Sequence, residues 1–429
     1  MPPSSHKAER VGSTVRTESA ILNVLWQYGE EAAFLWVLRD QATSEPHYLL
    51  PDLAELDRRI EAHLDGLRIA GDAGSRVCQE GLAMSEPGEV FAASVRAFEA
   101  GVEEPIGEVL QVVRNRPELA RAVVSAFGWM DYEKARERIA QFLRGETAIQ
   151  RRIGIAAMAI HRQEPGPALA RVLRDPEPTV RSRSLRTVGE LGRVDLGWDV
   201  RGAVGDHSPD CRFWAAWSAA LLGDRLAGNT LRQFAEKDSP LADRAADLAG
   251  RRMPLVESLA WQRQLAGKRE RLRVATKVAG AIGDPALVPW LIEQMNRPEL
   301  MRVAGEALSM ITGVDIAYED LEGEKPEGFE PGPTENPEDE NVAMDPDENL
   351  PFPDRKRVEQ WWSRKRESFS AGVRHLLGKP MTNESLIDAL RNGYQRQRAA
   401  AALELAIRNP GQPLFEVRAP GFRQIQALR

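Results

Sequence analysis

Five short stretches carry the architecture: NRPELAR (115–121), DPEPTVR (175–181), DHSPDCR (206–212), DSPLADR (238–244) and NRPELMR (296–302). Each opens on Asp or Asn, at Asn115, Asp175, Asp206, Asp238 and Asn296. Each closes six positions later on an arginine, at Arg121, Arg181, Arg212, Arg244 and Arg302. A proline falls early in every copy, and a weaker copy, ETAIQRR, runs over 146–152. With Arg152 and Arg273 included, the arginines recur at gaps of 31, 29, 31, 32, 29 and 29 residues. Self-similarity at such a period is the mark of a repeat architecture.

The residues on either side say what is repeated. After the arginines come small and apolar residues at helical spacing, such as Leu185, Val188 and Leu191, or Ala216, Ala219 and Leu222. Several of these segments run into a glycine (Gly192, Gly223, Gly283, Gly313), the residue that lets a helix end in left-handed geometry. Before the Asp or Asn lies a second amphipathic segment, as in PALARVLRD (167–175) or PALVPWLIEQM (285–295). One repeat is therefore helix A, a tight proline-containing turn, helix B and a glycine-marked turn. A single pair cannot bury its apolar face, whereas stacked pairs can. The fold class this predicts is all-α: an α-solenoid of short helix pairs, with a helical N-terminal cap and a helical C-terminal module.

The acidic or amide residue in the turn, followed six residues later by a basic residue at the start of helix B, resembles the HEAT-repeat pattern in a short version. The resemblance runs from about Pro87 to Val314. It implies a ladder in which these side chains tie successive repeats, with Asn115, Arg121, Asp175, Arg181, Asp206, Arg212, Asp238, Arg244, Asn296 and Arg302 as its members. Two rungs depart from the pattern, because Gly267 stands six residues before Arg273 and Glu146 replaces Asp.

Four regions follow: an N-terminal helical cap (1–86), the repeats (87–316), an acidic disordered linker (317–354) and a basic helical module (355–429). In the cap, Leu53, Leu56, Ile60, Leu64 and Leu67 share one helix face. From 316 to 354 there are fourteen Asp or Glu against one Lys, with clustered Pro and Gly, a composition that buries too little apolar surface to order itself. From 355 to 429 there are fifteen Lys or Arg against six Asp or Glu. The combination AHLDGL, the acidic break, Trp361–Trp362, QRQRAAAALELA and LFEVRAPGFRQ resembles a family of uncharacterised proteobacterial proteins with HEAT-like repeats, found near type VI secretion genes. That resemblance implies a setting and no chemistry.

Catalytic signatures are missing from the sequence. The chain of 429 residues carries six histidines with no HExxH spacing, and two distant cysteines, Cys78 and Cys211, with no CxxC partner. It has no Walker A sequence, no GxSxG and no GxGxxG following a strand. The expectation is no enzyme, no cofactor and no metal site. No apolar run reaches the length of about 20 residues that a bilayer crossing needs. With few cysteines and no apolar N-terminal stretch, a cytoplasmic protein without membrane association is expected. The net charge of −7, and the near balance between the acidic stretch and the basic module, argue against nucleic acid. A protein partner of unknown identity remains, since solenoids offer extended surfaces to macromolecules. The leading expectation is a scaffold or adaptor, assisting effector or spike assembly in a type VI setting. The alternatives are an immunity-type inhibitor of a neighbouring toxin, or a lyase-like enzyme acting on chromophores.

Overall fold

A computed structural model describes residues 6–333 and 344–429, with side chains described from residue 21 onward. The protein is all-α, with 22 α-helices among the described residues and one two-stranded ribbon, His375–Leu376 against Lys379–Pro380. Contacts divide it into two compact units. Unit 1 comprises 1–43, 51–169 and 418–427; unit 2 comprises 44–50, 170–417 and 428–429.

Unit 1 contains α1 (His6–Ala42), α2 (Leu50–Ile69), α3 (Asp72–Leu82), α4 (Pro87–Ala100), α5 (Glu103–Asn115), α6 (Ala120–Trp129), α7 (Tyr132–Leu143) and α8 (Ala148–Ile160). The leucine face expected on α2 is buried along its length, Leu53, Ile60, Leu64 and Leu67 completely. An aromatic column joins the helices: Trp36 stacks on Phe91 with centroids 5.0 Å apart, and Phe91 meets Trp129 edge-on at 5.4 Å. Phe98 stacks on Phe127 at 4.2 Å, and Phe127 meets Phe142 edge-on at 5.3 Å. Such offset and edge contacts add to the burial of the rings themselves. The chain's last segment returns to this unit. Arg39, buried, donates to Asp57 at 2.8 Å and to the carbonyls of Arg418 and Ala419 at 2.8 and 2.7 Å. The Gly421 amide donates to the other Asp57 oxygen.

Helix α9 (Pro167–Val172) carries the chain over the boundary at Leu169. Unit 2 then alternates the two helices of each repeat: α10 (Pro178–Glu190), α11 (Gly197–Ala203), α12 (Pro209–Leu221), α13 (Ala227–Ala235), α14 (Ala242–Arg252), α15 (Leu255–Ala266), α16 (Leu272–Ile282), α17 (Val288–Gln294) and α18 (Pro298–Thr312). The even-numbered members of α10–α18 are the B helices, and each packs on the next. Ala215, Ala216, Ala219 and Ala220 are buried in α12, and a Cβ on Gly189 of α10 would stand 2.9 Å from the Ser218 Cα. The Ser218 hydroxyl donates to the Leu185 carbonyl at 2.6 Å. Small side chains thus let these helix backbones approach.

The rest of unit 2 is α19 (Arg355–Lys365), α20 (Asn383–Asn392) and α21 (Gln395–Arg408), with α22 (Gly421–Ala427) in unit 1. The basic region falls in unit 2 as far as residue 417 and in unit 1 over 418–427. It runs along the C-terminal ends of the B helices and supplies partners for their free carbonyls, four of which every helix leaves unsatisfied. The Leu414 amide donates to Glu190 O at 2.9 Å, and Arg252, at the end of its own B helix, donates to Ala220 O and Gly223 O at 3.1 and 2.6 Å. Arg374 donates to Gly250 O and Met253 O at 2.9 and 2.6 Å, and His375 N to Gly283 O at 2.7 Å. Leu377 N and Gly378 N donate to Met310 O and Ile311 O at 2.8 and 3.0 Å. The turn glycines serve this strap as well as their own φ. Gly192 has φ 65°, and a Cβ there would sit 2.6 Å from Gln412 O; Gly283, at φ 75°, would meet His375 O at 2.5 Å.

The acidic stretch has anchors on both sides of its middle. Leu321 and Leu350 are buried, Glu322 bridges Pro353, and Gly323 N and Asp354 N donate to Phe352 O and Leu321 O, both at 2.7 Å. Averaged composition concealed a few apolar anchors at the two ends of an acidic stretch. Its middle, 334–343, lies outside the described residues.

Candidate functional site

The ladder is a property of turn and helix geometry, and one rung has all its parts. Asp206 caps its own turn by accepting Ser208 N at 2.8 Å, as Asp175 accepts Glu177 N at 3.0 Å. Arg181 lies 25 residues before Asp206 and meets both its oxygens at 3.1 Å, while its other nitrogen donates to Asp175 O and Pro176 O at 2.9 Å. The arginine thus holds its own turn by main-chain carbonyls and the next turn by a carboxylate. The hydrogen bond from Arg181 is the main reason the Asp206 carboxyl is held below its ordinary range.

The other members diverge. Arg212 repeats the carbonyl clasp, at Asp206 O and His207 O, 2.8 and 2.9 Å, and makes no ion pair among the described residues. Asp238 is exposed, and Arg244 stands over the Trp214 ring at 5.3 Å, opposite no turn acid. The copy at 146–152 is read one residue out of register: Arg151, not Arg152, clasps Gly145 O and Glu146 O, at 3.2 and 2.7 Å. In unit 1, Arg121 pairs with Asp40 at 2.6 Å instead of its own turn residue Asn115. Asn296 turns back to Glu293 O at 3.0 Å. The six-residue offset therefore marks main-chain clasping of a turn more than pairing of its two end residues.

Arg273 and Arg302, the last two arginines of the period, receive acids that sequence reasoning assigned to a linker. Arg302 donates to Asp345 at 2.8 Å and to Asp347 O at 2.9 Å, with its guanidinium 4.6 Å from the Phe352 centroid. Arg273 donates to Asp347 at 2.8 Å. Asp345 accepts Asp347 N at 3.0 Å, the same turn that Asp175 and Asp206 build. The signal was in the sequence: DPD at 345–347 has the opening of DPEP at 175–178. These residues wall a cleft of about 680 Å³ that Leu272, Leu300, Phe329 and Pro331 also line.

A second surface feature recurs with the repeats. Trp198, Leu226 and Val256, at the starts of α11, α13 and α15, are 80%, 72% and 80% exposed. The Arg201 guanidinium lies 5.2 Å from the Trp198 ring and pairs with Asp224 at 2.8 Å, tying the first position to the turn that carries the second.

Neither cysteine resembles a nucleophile. Burial pushes the Cys78 thiol up to about 12, and raises that of Cys211, whose sulfur donates to Pro178 O at 3.4 Å. His63 lies against Tyr28 with ring centroids 5.7 Å apart, and no cluster of metal-ligating side chains occurs among the described residues. No described helix is long and apolar enough to cross a membrane.

Stacked helix pairs tied by arginine clasps define an α-helical repeat protein. Residues 166–249, which include the complete Arg181–Asp206 rung, match the family model of HEAT repeats, so that stretch is similar to HEAT repeats. None of the curated proteins matches the chain.

Proposed function

We propose that this protein is a non-catalytic scaffold whose work is to hold another protein. The observation that carries this reading is the row Trp198, Leu226 and Val256, three large apolar side chains left in water at the same place in successive repeats. Single exposed apolar residues are ordinary, but this set recurs with the repeats, and its Trp198 beside Arg201 pairs two of the residue types enriched at binding hot spots. HEAT repeats over 166–249 support the same role, since stacked repeats present extended binding surfaces. The particular setting we propose is an adaptor for effector or spike assembly in type VI secretion, a reading supported by the resemblance of the chain's two ends alone.

The test is capture of the cognate partner from cells of the native host by the full chain and by Trp198→Ala with Leu226→Ala. The double variant should lose captured partner by at least about tenfold, the size expected of a binding hot spot, with an unchanged melting temperature. Equal capture by both proteins would remove the row as the binding surface. Enrichment of secretion-system components supports the type VI setting, and their absence from the captured set counts against it.

A further inference from the structure

The cleft beside α16 and α18 is already occupied by the chain's own acidic segment, and the manner of its occupation describes a ligand. Arg302 is only 5% exposed, yet its charge is matched by a carboxylate from 43 residues away in the chain, Asp345. Asp347 is equally buried and meets Arg273. The Arg302 Nε has no hydrogen-bond partner. On the same walls, Arg269 and Arg297 are exposed and make no ion pair among the described residues. With Glu270 and Glu299 also present, four guanidiniums face four carboxylates. Remove Asp345 and Asp347, and the cleft is short of two negative charges held one residue apart.

We propose that this cleft is a receptor for a linear acidic segment of a protein partner, one presenting two carboxylates about a proline-centred turn, and that residues 345–347 are its tethered surrogate. The proposal deepens the scaffold reading and rests on it. A partner segment exchanges like for like: guanidinium–carboxylate bonds are broken with the surrogate and remade with the ligand, so no buried charge is stranded. Arg269 and Arg297 provide the surplus, because the surrogate leaves them unpaired. Phe329 and Pro331 offer the apolar wall that a proline-bearing turn needs. Glu270 and Glu299 repel a ligand whose charge is spread densely along a polymer, which favours a peptide over a nucleic acid. A tethered competitor acts at an effective concentration of about millimolar, so it holds weak ligands off and yields to stronger or multivalent ones.

The experiment measures fluorescence anisotropy of a labelled peptide with the sequence of residues 344–354 against the full-length protein. Asp345→Asn with Asp347→Asn vacates the cleft and should bind the peptide at least about tenfold tighter than the wild type, from the effective-concentration argument. A peptide with Asn at both acidic positions of the turn should not bind. Should the vacated variant melt early, Arg269→Glu with Arg297→Glu in the wild-type background keeps the test open, and should weaken peptide binding at least about fivefold. Equal affinity of wild type and a folded vacated variant overturns the proposal, as does indifference to the charge reversal. An oligothymidylate of equal charge that binds as tightly as the peptide overturns it too, since the cleft would then be a general polyanion site. The Trp198 and Leu226 variant separates the two readings: it should bind the peptide normally. If the peptide fails everywhere while that variant still loses the captured partner, the cleft proposal falls and the scaffold stands.

Discussion

The rung at Arg181–Asp206 and the one at Arg302–Asp345 use the same chemical unit with different sources of acid. In both, an aspartate caps its own turn through a main-chain amide two residues on, and a guanidinium from a B helix holds that aspartate. In the first the turn belongs to the next repeat, 25 residues along; in the second it belongs to an insertion, 43 residues along. The first is partly open to water, with Arg181 and Asp206 side chains 20% and 16% exposed, while Arg302 and Asp345 are 5% and 15% exposed. A repeat that has no successor still presents its arginine, and an acidic loop has taken the successor's place. Periodicity creates a site at its own end.

The largest effect should come from breaking the inserted rung. Arg302→Ala leaves the Asp345 carboxylate and the Asp347 carbonyl without their main partner in a buried setting, a loss of about 3–5 kcal/mol. The repeat rung is more exposed, so Arg181→Ala should cost about 1–2 kcal/mol. Differential scanning calorimetry should rank them in that order. Arg181→Ala combined with Asp206→Ala should lose less than the sum, because the two share an interaction. Arg212→Ala combined with Asp206→Ala should come close to additive, since Arg212 touches only the main chain of that turn. Additivity for Arg181 and Asp206 would mean that their contact contributes nothing.

Two glycines sharpen the contrast between the units. Gly101 in unit 1 and Gly192 in unit 2 have φ of 70° and 65°, so alanine strains both backbones. A Cβ on Gly101 meets nothing within 4 Å, whereas on Gly192 it meets Gln412 O at 2.6 Å. Gly101→Ala should cost about 1 kcal/mol, the usual penalty of left-handed geometry. Gly192→Ala should cost roughly 1–3 kcal/mol more, because the strap must move. Chemical denaturation of the two variants reads the difference, and equal losses would show that the strap yields freely.

The smallest effect concerns acid. Burial lowers the His161 pKa from 6.5 to about 4, against the opposing bond to Phe127 O at 2.8 Å. A lowered folded pKa means that unit 1 is at full stability above pH 6.5 and loses it as the pH falls from there toward 4. For Asp345, burial pushes upward, but the Arg302 bond, the Asp347 amide and the charges of Arg302 and Arg273 together outweigh it, and Asp206 is lowered chiefly by Arg181. These rungs keep their contribution above the ordinary carboxylate range, near 3.8, and lose it only below. A melting series from pH 7 to 4.5 should therefore weaken unit 1 first. His161→Gln should flatten that slope, and an unchanged slope would place the titration elsewhere.

What the sequence disclosed follows from what repeats impose. The turn acids, the arginines and the glycines recur because each repeat must solve the same local problem, and period alone exposed the helix pairs. It did not tell Arg151 from Arg152, since adjacent arginines satisfy one spacing and only helix phase separates them. It suggested a ladder between successive repeats, which Arg181 and Asp206 form, but not the main-chain clasps or the carboxylates that come from outside the repeats. Asp345 and Asp347 were missed because they occur once, amid residues whose composition suggested disorder. The strap was missed for a related reason: contacts between His375 and Gly283, or Gln412 and Gly192, leave no periodic trace.

That strap gives unit 2 a fixed count. A plain stack of repeats grows by duplication, and it can fray from an end one repeat at a time. Here residues 374–378 are fastened to the ends of α16 and α18, and residues 410–414 to those of α10 and α12. Inserting one more helix pair between those anchors would separate them by about 10 Å, the spacing of packed helices. The segment from 378 to 410 is itself folded into α20 and α21 and has no slack to give. The strap acts as a ruler. It ties the length of unit 2 to the length of its own return path, so adding or removing one helix pair would require these bonds to be broken and remade.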